Sequence, residues 1–215
     1  MARGEPGIAA GERQALCDLF ERVGPEAPTL CDGWTTADLA AHLVVREGRP
    51  DAGVGIVVPA LRGYSARIEK AAAARPWPVL LETLRKGPPL GRSLVSLPGL
   101  TDVANVHEFF VHHEDVRRAR PGWSLRALRP ELESTLRSRL PLLSRVLLRR
   151  LSGATLELAA PDGRTVDVGK SGPRARLRGP VSELTLWAFG RDAVQVELDG
   201  DPEAVVAVQA VPRGL

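Results

Sequence analysis

Apolar residues follow two different periods along this chain. Through the first two thirds they recur at helical spacing, and from Ala154 onward they alternate with polar residues as in β-strands. The change falls near Ser152 and Gly153. The pattern therefore predicts an α+β protein of two modules, a helical bundle over residues 1–151 followed by a small α+β module over residues 152–215.

Five segments of the first module have helical spacing and recognisable helix ends. The first is stopped by Gly24 and Pro25, and the second starts at Thr35, with Asp38 three residues later in a sequence that resembles a capping box. The segments are EPGIAAGERQALCDLFERVG, TTADLAAHLVVRE, ALRGYSARIEKAAAA, WPVLLETLRKG and DVANVHEFFVHHEDVRRA. A loop is predicted over residues 87–100, before the last of them.

The histidine-rich segment is expected to begin after Thr101 or Asp102 and to end before Pro121. A sixth helix is predicted over residues 129–151, with a leucine stripe that Pro141 should kink or split. The stripe consists of Leu132, Leu136, Leu140, Leu143, Leu147 and Leu151. Four or five of these helices, with a long crossover, fit an up-down four-helix bundle with an extra helix, an architecture whose core side chains can carry a metal ion.

The last third of the chain predicts strands and helices in the order β-β-β-α-β-α. Alternating residues on both sides of Pro161, Asp162 and Gly163 indicate a hairpin, and Pro180 starts a helix. No histidine, cysteine or glycine-rich phosphate loop lies in this part, so we predict no independent chemistry there.

Composition excludes several classes of protein. The chain has 215 residues, 44% of them hydrophobic and 26% charged, which is typical of a soluble globular protein. No apolar run is long enough to span a membrane and the amino terminus lacks the apolar stretch of a signal peptide, so we predict a cytoplasmic protein. Cys17 and Cys31 are too few for a disulfide scaffold and are expected to be reduced, partly buried thiols.

Charge does not indicate a nucleic-acid partner. The formal net charge is only +3, and the basic residues are 26 arginines and 3 lysines. The arginines of the sixth helix are expected to form a solvated basic face, because no recognised motif or interleaved aromatic residues accompany them. Exposed apolar patches cannot be located in a sequence, so the oligomeric state is left open.

The four histidines mark the candidate chemistry. Glu108, His112 and Asp115 are spaced by four and three residues, so a helix places them on one face. If His42 reaches across from a facing helix, two imidazoles and a carboxylate form a metal site with an open position for water or substrate. The metal would most simply be zinc, although nickel, iron and manganese also fit this donor set. A glutamate and a histidine one turn apart are also often plain neighbours.

Some residues around this triad could play either of two roles. Asp115 either accepts the second ring proton of His112 or forms a salt bridge with Arg118 or Arg120, and Asn105 is a weaker candidate for supporting Glu108. Arg46 either meets an anionic substrate or lies on the helix surface. Trp34 either packs as a hydrophobic staple at the helix entry or lies near the rim of the pocket. His107, His113 and Glu114 are expected to pack or to face solvent, away from the triad.

Two motifs and the tail resemble a known family. CDGWTTADLAAHL is similar to the Trp-x7-His segment, and HEFFVHHED to the Glu-x3-His segment, of the DinB/YfiT-like metal proteins. Within that superfamily the chain most resembles the mycothiol-dependent maleylpyruvate isomerase group, especially an actinobacterial metal-binding branch with LCDGW and HLVVRE. RGPVSELTLWAFGRDAVQVELDGD resembles the group's sterol-carrier-like carboxy-terminal module.

The resemblance implies a metal triad of His42, Glu108 and His112, the residues that the spacing also selects. It also implies that a divalent ion, most simply zinc, binds the small thiol mycothiol and holds it as the thiolate. The leading hypothesis is therefore a thiol-dependent transferase or isomerase that acts on a small electrophile. The alternatives are a metal- or ligand-binding module without turnover, and a scaffold that has lost its metal.

Overall fold

The computed structural model describes residues 7–49, 62–88 and 100–214, and this part of the chain forms eight helices and a four-stranded sheet. The predicted α+β class is confirmed. The helices are α1 (Ile8–Val23), α2 (Thr36–Gly48), α3 (Arg62–Ala73), α4 (Trp77–Lys86), α5 (Leu100–Arg118), α6 (Pro130–Leu147), α7 (Val181–Ala188) and α8 (Pro202–Ala210). The strands are β1 (Thr155–Ala159), β2 (Thr165–Val168), β3 (Arg174–Arg178) and β4 (Glu197–Gly200).

Residue contacts divide the chain into two compact units, 1–125 and 126–215. In the first unit, α1 packs against α5 and α4, and α2 packs against α3 and α4. Leucine and phenylalanine side chains from four of these helices are fully buried in one core; they include Leu16, Phe20, Leu39, Leu43, Leu80, Leu84 and Phe109. This core holds α2 and α5 in place, and these two helices carry the candidate site.

Local sequence signals account for the start of α2. The Thr35 side chain accepts from the Asp38 backbone N–H, and the Asp38 carboxylate accepts from the Thr35 backbone N–H at 2.9 Å, so the predicted capping box is present. The loop before it closes a turn in which the Trp34 N–H donates to the Cys31 carbonyl at 3.0 Å. Gly33 has a φ of 71°, the left-handed conformation that such a turn requires.

The second unit contains a sheet with the strand order β2-β1-β3-β4. β1 and β2 form the predicted antiparallel hairpin, while β1 pairs in parallel with β3, and β3 is antiparallel to β4. Helix α8 packs against the sheet, and α6 packs against α7 and β2. The predicted order β-β-β-α-β-α is confirmed within this unit.

Three details differ from the sequence predictions. The unit boundary follows Leu125 instead of residue 151, because the buried face of α6 packs against α7 and β2. Pro141 lies inside α6 without splitting it, and Ser144 is buried in the stripe while Leu143 is only partly buried. Helix α5 already includes Leu100, so the expected caps lie within the helix, a shift that is common at helix ends. Most of the loop predicted over residues 87–100 lies outside the described residues.

Candidate metal centre

Three side chains from two helices meet inside the first unit. His42 Nε2 lies 3.4 Å from Glu108 Oε1, and His112 Nε2 lies 3.3 Å from the same oxygen. The three donor atoms all lie within 4.8 Å of one another. His42 comes from α2, while Glu108 and His112 lie one turn apart on α5. The structure therefore brings together the three residues that the sequence selected.

Packing of α5 fixes the direction of the two residues that it contributes. Phe109 and Phe110 are fully buried beside Glu108, and Val111 and Val116 are nearly so. Because helical neighbours point about 100° apart, these buried positions leave Glu108 and His112 on a face that turns toward α2. Both site residues remain partly exposed.

Each histidine of the pair has its other ring nitrogen next to a carboxylate. His112 Nδ1 lies 2.8 Å from Asp115 Oδ2, and His42 Nδ1 lies 3.1 Å from Glu69 Oε1. Carboxylates in these positions hold the imidazole tautomer that keeps its proton on Nδ1, which leaves the Nε2 lone pair for a metal ion. Of the two roles predicted for Asp115, the structure therefore shows the contact with His112. Arg118 instead pairs with Glu114. Glu69 was not expected from the sequence.

Arg46 and Asn105 belong to the surroundings of Glu108. Arg46 Nε lies 3.2 Å from Glu108 Oε1, and Arg46 Nη1 donates to Asn105 Oδ1 at 2.8 Å. Arg46 is therefore part of the site rather than a solvated helix residue. Asn105 is linked to Glu108 through Arg46, whereas the sequence suggested direct support of the carboxylate.

Cys31 adds a thiol on the Nδ1 side of His112. Its Sγ lies 3.3 Å from Asp115 Oδ2 and 3.8 Å from His112 Nδ1. The Leu30 backbone N–H donates to the Asp115 carbonyl at 3.1 Å, which fixes the loop of Cys31 against α5. The sequence signal for this contact is the position of Cys31 three residues before Trp34, in the motif that leads to His42.

Cys31, His112 and Asp115 form a second group of three donors within 4.8 Å of one another. Here the separation of 2.8 Å between His112 Nδ1 and Asp115 Oδ2 is that of a charge-assisted hydrogen bond. Because His112 Nδ1 and Asp115 Oδ2 are already bonded to each other, this group is better described as a support for the His112 ring. The triad of His42, Glu108 and His112 is therefore the better candidate for a metal site.

Electrostatics of the triad favour an ionised Glu108. Burial opposes ionisation, but hydrogen bonds with His112 and His42 and the charge of Arg46 outweigh it and hold the pKa of Glu108 far below its usual range. Burial also opposes the charged form of His42, yet hydrogen bonds to Glu108 and Glu69 raise its pKa. For His112, hydrogen bonds to Asp115, Cys31 and Glu108 overcome the same burial and raise the pKa well above its ordinary value. Protons therefore compete with a metal ion for both imidazoles.

The other histidines lie away from the triad, as expected from their angles around α5. His113 is buried, with Nδ1 at 3.4 Å from Glu12 Oε2 of α1, and His107 is buried as well. Trp34 packs at the entry of α2, and its ring lies 5.2 Å from that of His42, centroid to centroid. Trp34 therefore forms one wall beside the His42 imidazole.

No helix in the described part of the chain combines the length and the apolar composition needed to cross a membrane. The sequence matches no protein-family model and no curated protein.

Two solved structures have the same fold. One is a mycothiol-dependent maleylpyruvate isomerase, with a TM-score of 0.62, 15% identity and coverage of 90% of either chain. The other is a histidine-to-alanine mutant of the mycothiol-dependent maleylpyruvate isomerase, with a TM-score of 0.63, 14% identity, and coverage of 90% of this chain and 91% of that one. At this identity the likeness shows the fold, which agrees with the resemblance found in the sequence motifs.

Proposed function

We propose that this chain, which has the fold of a mycothiol-dependent maleylpyruvate isomerase, is a metal-dependent enzyme that uses a small thiol. His42, Glu108 and His112 would hold a divalent ion, with zinc as the best fit to two imidazoles and one carboxylate. The observation that carries the proposal is the orientation of both imidazoles. Their Nε2 atoms approach one carboxylate oxygen, while each Nδ1 faces a second carboxylate.

The donor set passes a test of fit to such an ion. Three protein ligands leave at least one coordination position open, which is typical of catalytic rather than structural zinc. Asp115 is fully buried against His112, and Glu69 is partly exposed beside His42. Carboxylates behind ligand histidines orient the rings and increase their basicity.

The chemistry supplied by the bound ion would be activation of a thiol, because coordination deprotonates it and the thiolate is the nucleophile. The chain's own residues would prepare the site. Glu108 would stay ionised. Asp115 would accept the Nδ1 proton of His112 in a hydrogen bond, and Glu69 that of His42. Trp34 would limit access on one side of His42. The Cys31 thiol lies near Nδ1 of His112, whereas Glu108 contacts Nε2 of the same ring, so we propose an external thiol.

The printed name of the structural neighbours gives the class of reaction to test. We propose that a thiol of the mycothiol type attacks a small electrophile at carbon. Reversible addition to a conjugated double bond would allow rotation and isomerisation, with the thiol released unchanged. Displacement of a leaving group or opening of an epoxide would instead leave sulfur bonded to carbon, which is a transferase reaction.

We propose that the two parts of the chain correspond to the two modules of the family that the sequence resembles. The helices of the first unit would form the DinB-like four-helix bundle, since α2 and α5 supply all three ligands. Residues 152–215 would form the sterol-carrier-like module. Its strands and helices occur in the expected order, and the sequence there has no histidine or cysteine.

Metal content is the first test of this proposal. Protein purified without a histidine tag should contain about one equivalent of a divalent ion by elemental mass spectrometry, and the His42→Ala, His112→Ala double variant should contain none. A His113→Ala variant is the matched control, because His113 lies on α5 but contacts Glu12. Absence of metal from the wild type after reconstitution would overturn the proposal.

Activity is the second test. Metal-loaded protein should consume an unsaturated acid, an epoxide or an alkyl halide only when mycothiol is present, and the double variant should not. Metal binding without turnover across these three substrate classes would favour the alternative, a metal- or ligand-binding module that is not an enzyme.

A further inference from the structure

A series of polar side chains connects α1 with Glu108 through the interior of the first unit. Arg13 of α1 forms an ion pair with Glu47 at the end of α2. Asn105 Nδ2 donates to Glu47 Oε1 at 3.5 Å, and Asn105 Oδ1 accepts from Arg46 Nη1 at 2.8 Å. Arg46 Nε lies 3.2 Å from Glu108 Oε1. The series ends at the oxygen that both site histidines approach.

The middle of this series is buried. Glu47 is 5% exposed and Asn105 is 6% exposed, and burial raises the pKa of Glu47 although Arg13 and Arg46 oppose the change. Buried polar groups of this kind stabilise a structure only when each one has a partner of good geometry. A simple apolar contact between α2 and α5 would avoid that cost, so the polar series calls for an explanation beyond packing.

We infer that Arg46 is a positioning residue for the Glu108 carboxylate. The inference rests on the proposed function, in which Glu108 is a metal ligand. The Arg46 guanidinium is a planar group whose separate nitrogens contact Glu108 and Asn105, so it cannot rotate without losing one of the two. The hydrogen bond with Asn105 thereby fixes the direction from which Arg46 contacts Glu108 Oε1.

The position of Arg46 in the sequence strengthens this role. It lies four residues after His42 on α2, one turn further along the same helix. The same helix therefore carries one proposed ligand and the group that places a second ligand from α5. Arg46 would set the distance between the His42 and Glu108 donor atoms.

The positive charge of Arg46 and its positioning contacts predict opposite effects on metal affinity. A positive charge this close to a ligand oxygen repels a divalent ion, so its removal should tighten metal binding if charge alone matters. If position matters, loss of the planar contact should weaken binding, as mutation of supporting partners of metal ligands commonly does by about 10- to 100-fold. Lysine separates the two effects, because it keeps the charge and lacks the second nitrogen.

The experiment compares Arg46→Lys and Arg46→Gln with the wild type. Dissociation constants for Zn²⁺ and Co²⁺ are measured by chelator competition, the visible spectrum of the Co²⁺ protein reports its coordination, and thermal unfolding of the metal-free proteins reports folding. We expect both variants to lose about 10-fold in affinity and to change the Co²⁺ spectrum. Arg85→Lys is the matched control, since Arg85 pairs with Asp18 and Glu21 and should leave both readouts unchanged.

A double-mutant cycle tests the link through Asn105. Asn105→Ala should weaken metal binding in the wild type and have no further effect in the Arg46→Gln protein, because its influence passes through Arg46. Wild-type affinity and spectrum in Arg46→Lys, or tighter binding in Arg46→Gln, would overturn the inference while metal binding by the wild type stands. Failure of the wild type to bind either ion would overturn the proposed function and this inference together.

Discussion

Asp115 Oδ2 lies 2.8 Å from His112 Nδ1, one turn along the same helix, and Asp115 is completely buried. The contact fixes the ring of His112 so that Nε2 faces Glu108. A carboxylate in this position also makes the imidazole a better electron-pair donor, so Asp115 should strengthen the binding of a metal ion at Nε2.

Asp115→Asn should weaken Zn²⁺ binding by about 10- to 100-fold, because the amide keeps the size of the side chain and removes its charge. The measurement is competition with a chromophoric chelator. Asp18→Asn removes a carboxylate of α1 that pairs with Arg85 and serves as the control. Equal affinity in Asp115→Asn and the wild type would show that Asp115 does not support the metal site.

Glu69→Gln should weaken Zn²⁺ binding less than Asp115→Asn does. The Glu69 side chain is 32% exposed, whereas that of Asp115 is 0% exposed, so water screens the contact between Glu69 and His42 more strongly. We expect a loss of about 3- to 10-fold, at or below the lower end of the usual range for such partners. The same competition assay on both variants checks the order, and a larger loss for Glu69→Gln would contradict it.

Zinc should stabilise the folded protein through its triad. Binding to the folded state alone adds about 2.7 kcal/mol to the free energy of unfolding when free zinc is 100 times the dissociation constant. Thermal unfolding over a series of zinc concentrations should therefore show a rising midpoint in the wild type and a constant one in the His42→Ala, His112→Ala variant. The same rise in both proteins would place the binding elsewhere.

Cys17 should make the protein less stable at high pH. Burial raises its pKa from 9.0 to about 12, against the opposing charges of Arg85 and Arg13. Below pH 9 the folded and unfolded chains both keep the thiol proton, so this group has no effect there. Between the two values only the unfolded chain loses the proton, and the free energy of unfolding falls by about 1.4 kcal/mol per pH unit.

The test of this prediction is denaturant unfolding of the wild type and Cys17→Ala from pH 8 to 11. The substitution has a cost of its own at every pH, so the difference in slope above pH 9 is the relevant quantity. A shallower slope in Cys17→Ala supports the buried thiol as the cause. Parallel curves would show that Cys17 keeps an ordinary pKa in the folded protein.

Several features of this protein follow from short stretches of sequence. Thr35 and Asp38 predicted the start of α2, the alternation around Pro161 predicted the β1–β2 hairpin, and four-residue spacing predicted that Glu108 and His112 share a face. Each depends on the local geometry of a helix or a turn, so periodicity is enough to find it. Metal binding by the three selected residues stays a prediction.

Contacts between distant segments could not be predicted in this way. His42 meets Glu69 across 27 residues, and Cys31 meets Asp115 across 84. Arg46 reached Glu108 and Asn105 instead of solvent, and α6 packed with the second unit. The helical period places a side chain on a face of its own helix, but packing between helices selects its partner. Helical spacing and the motif resemblance therefore identified the triad and offered Asp115 as one possible support, while the contacts that Glu69, Cys31 and Arg46 make around it emerged only from the folded chain.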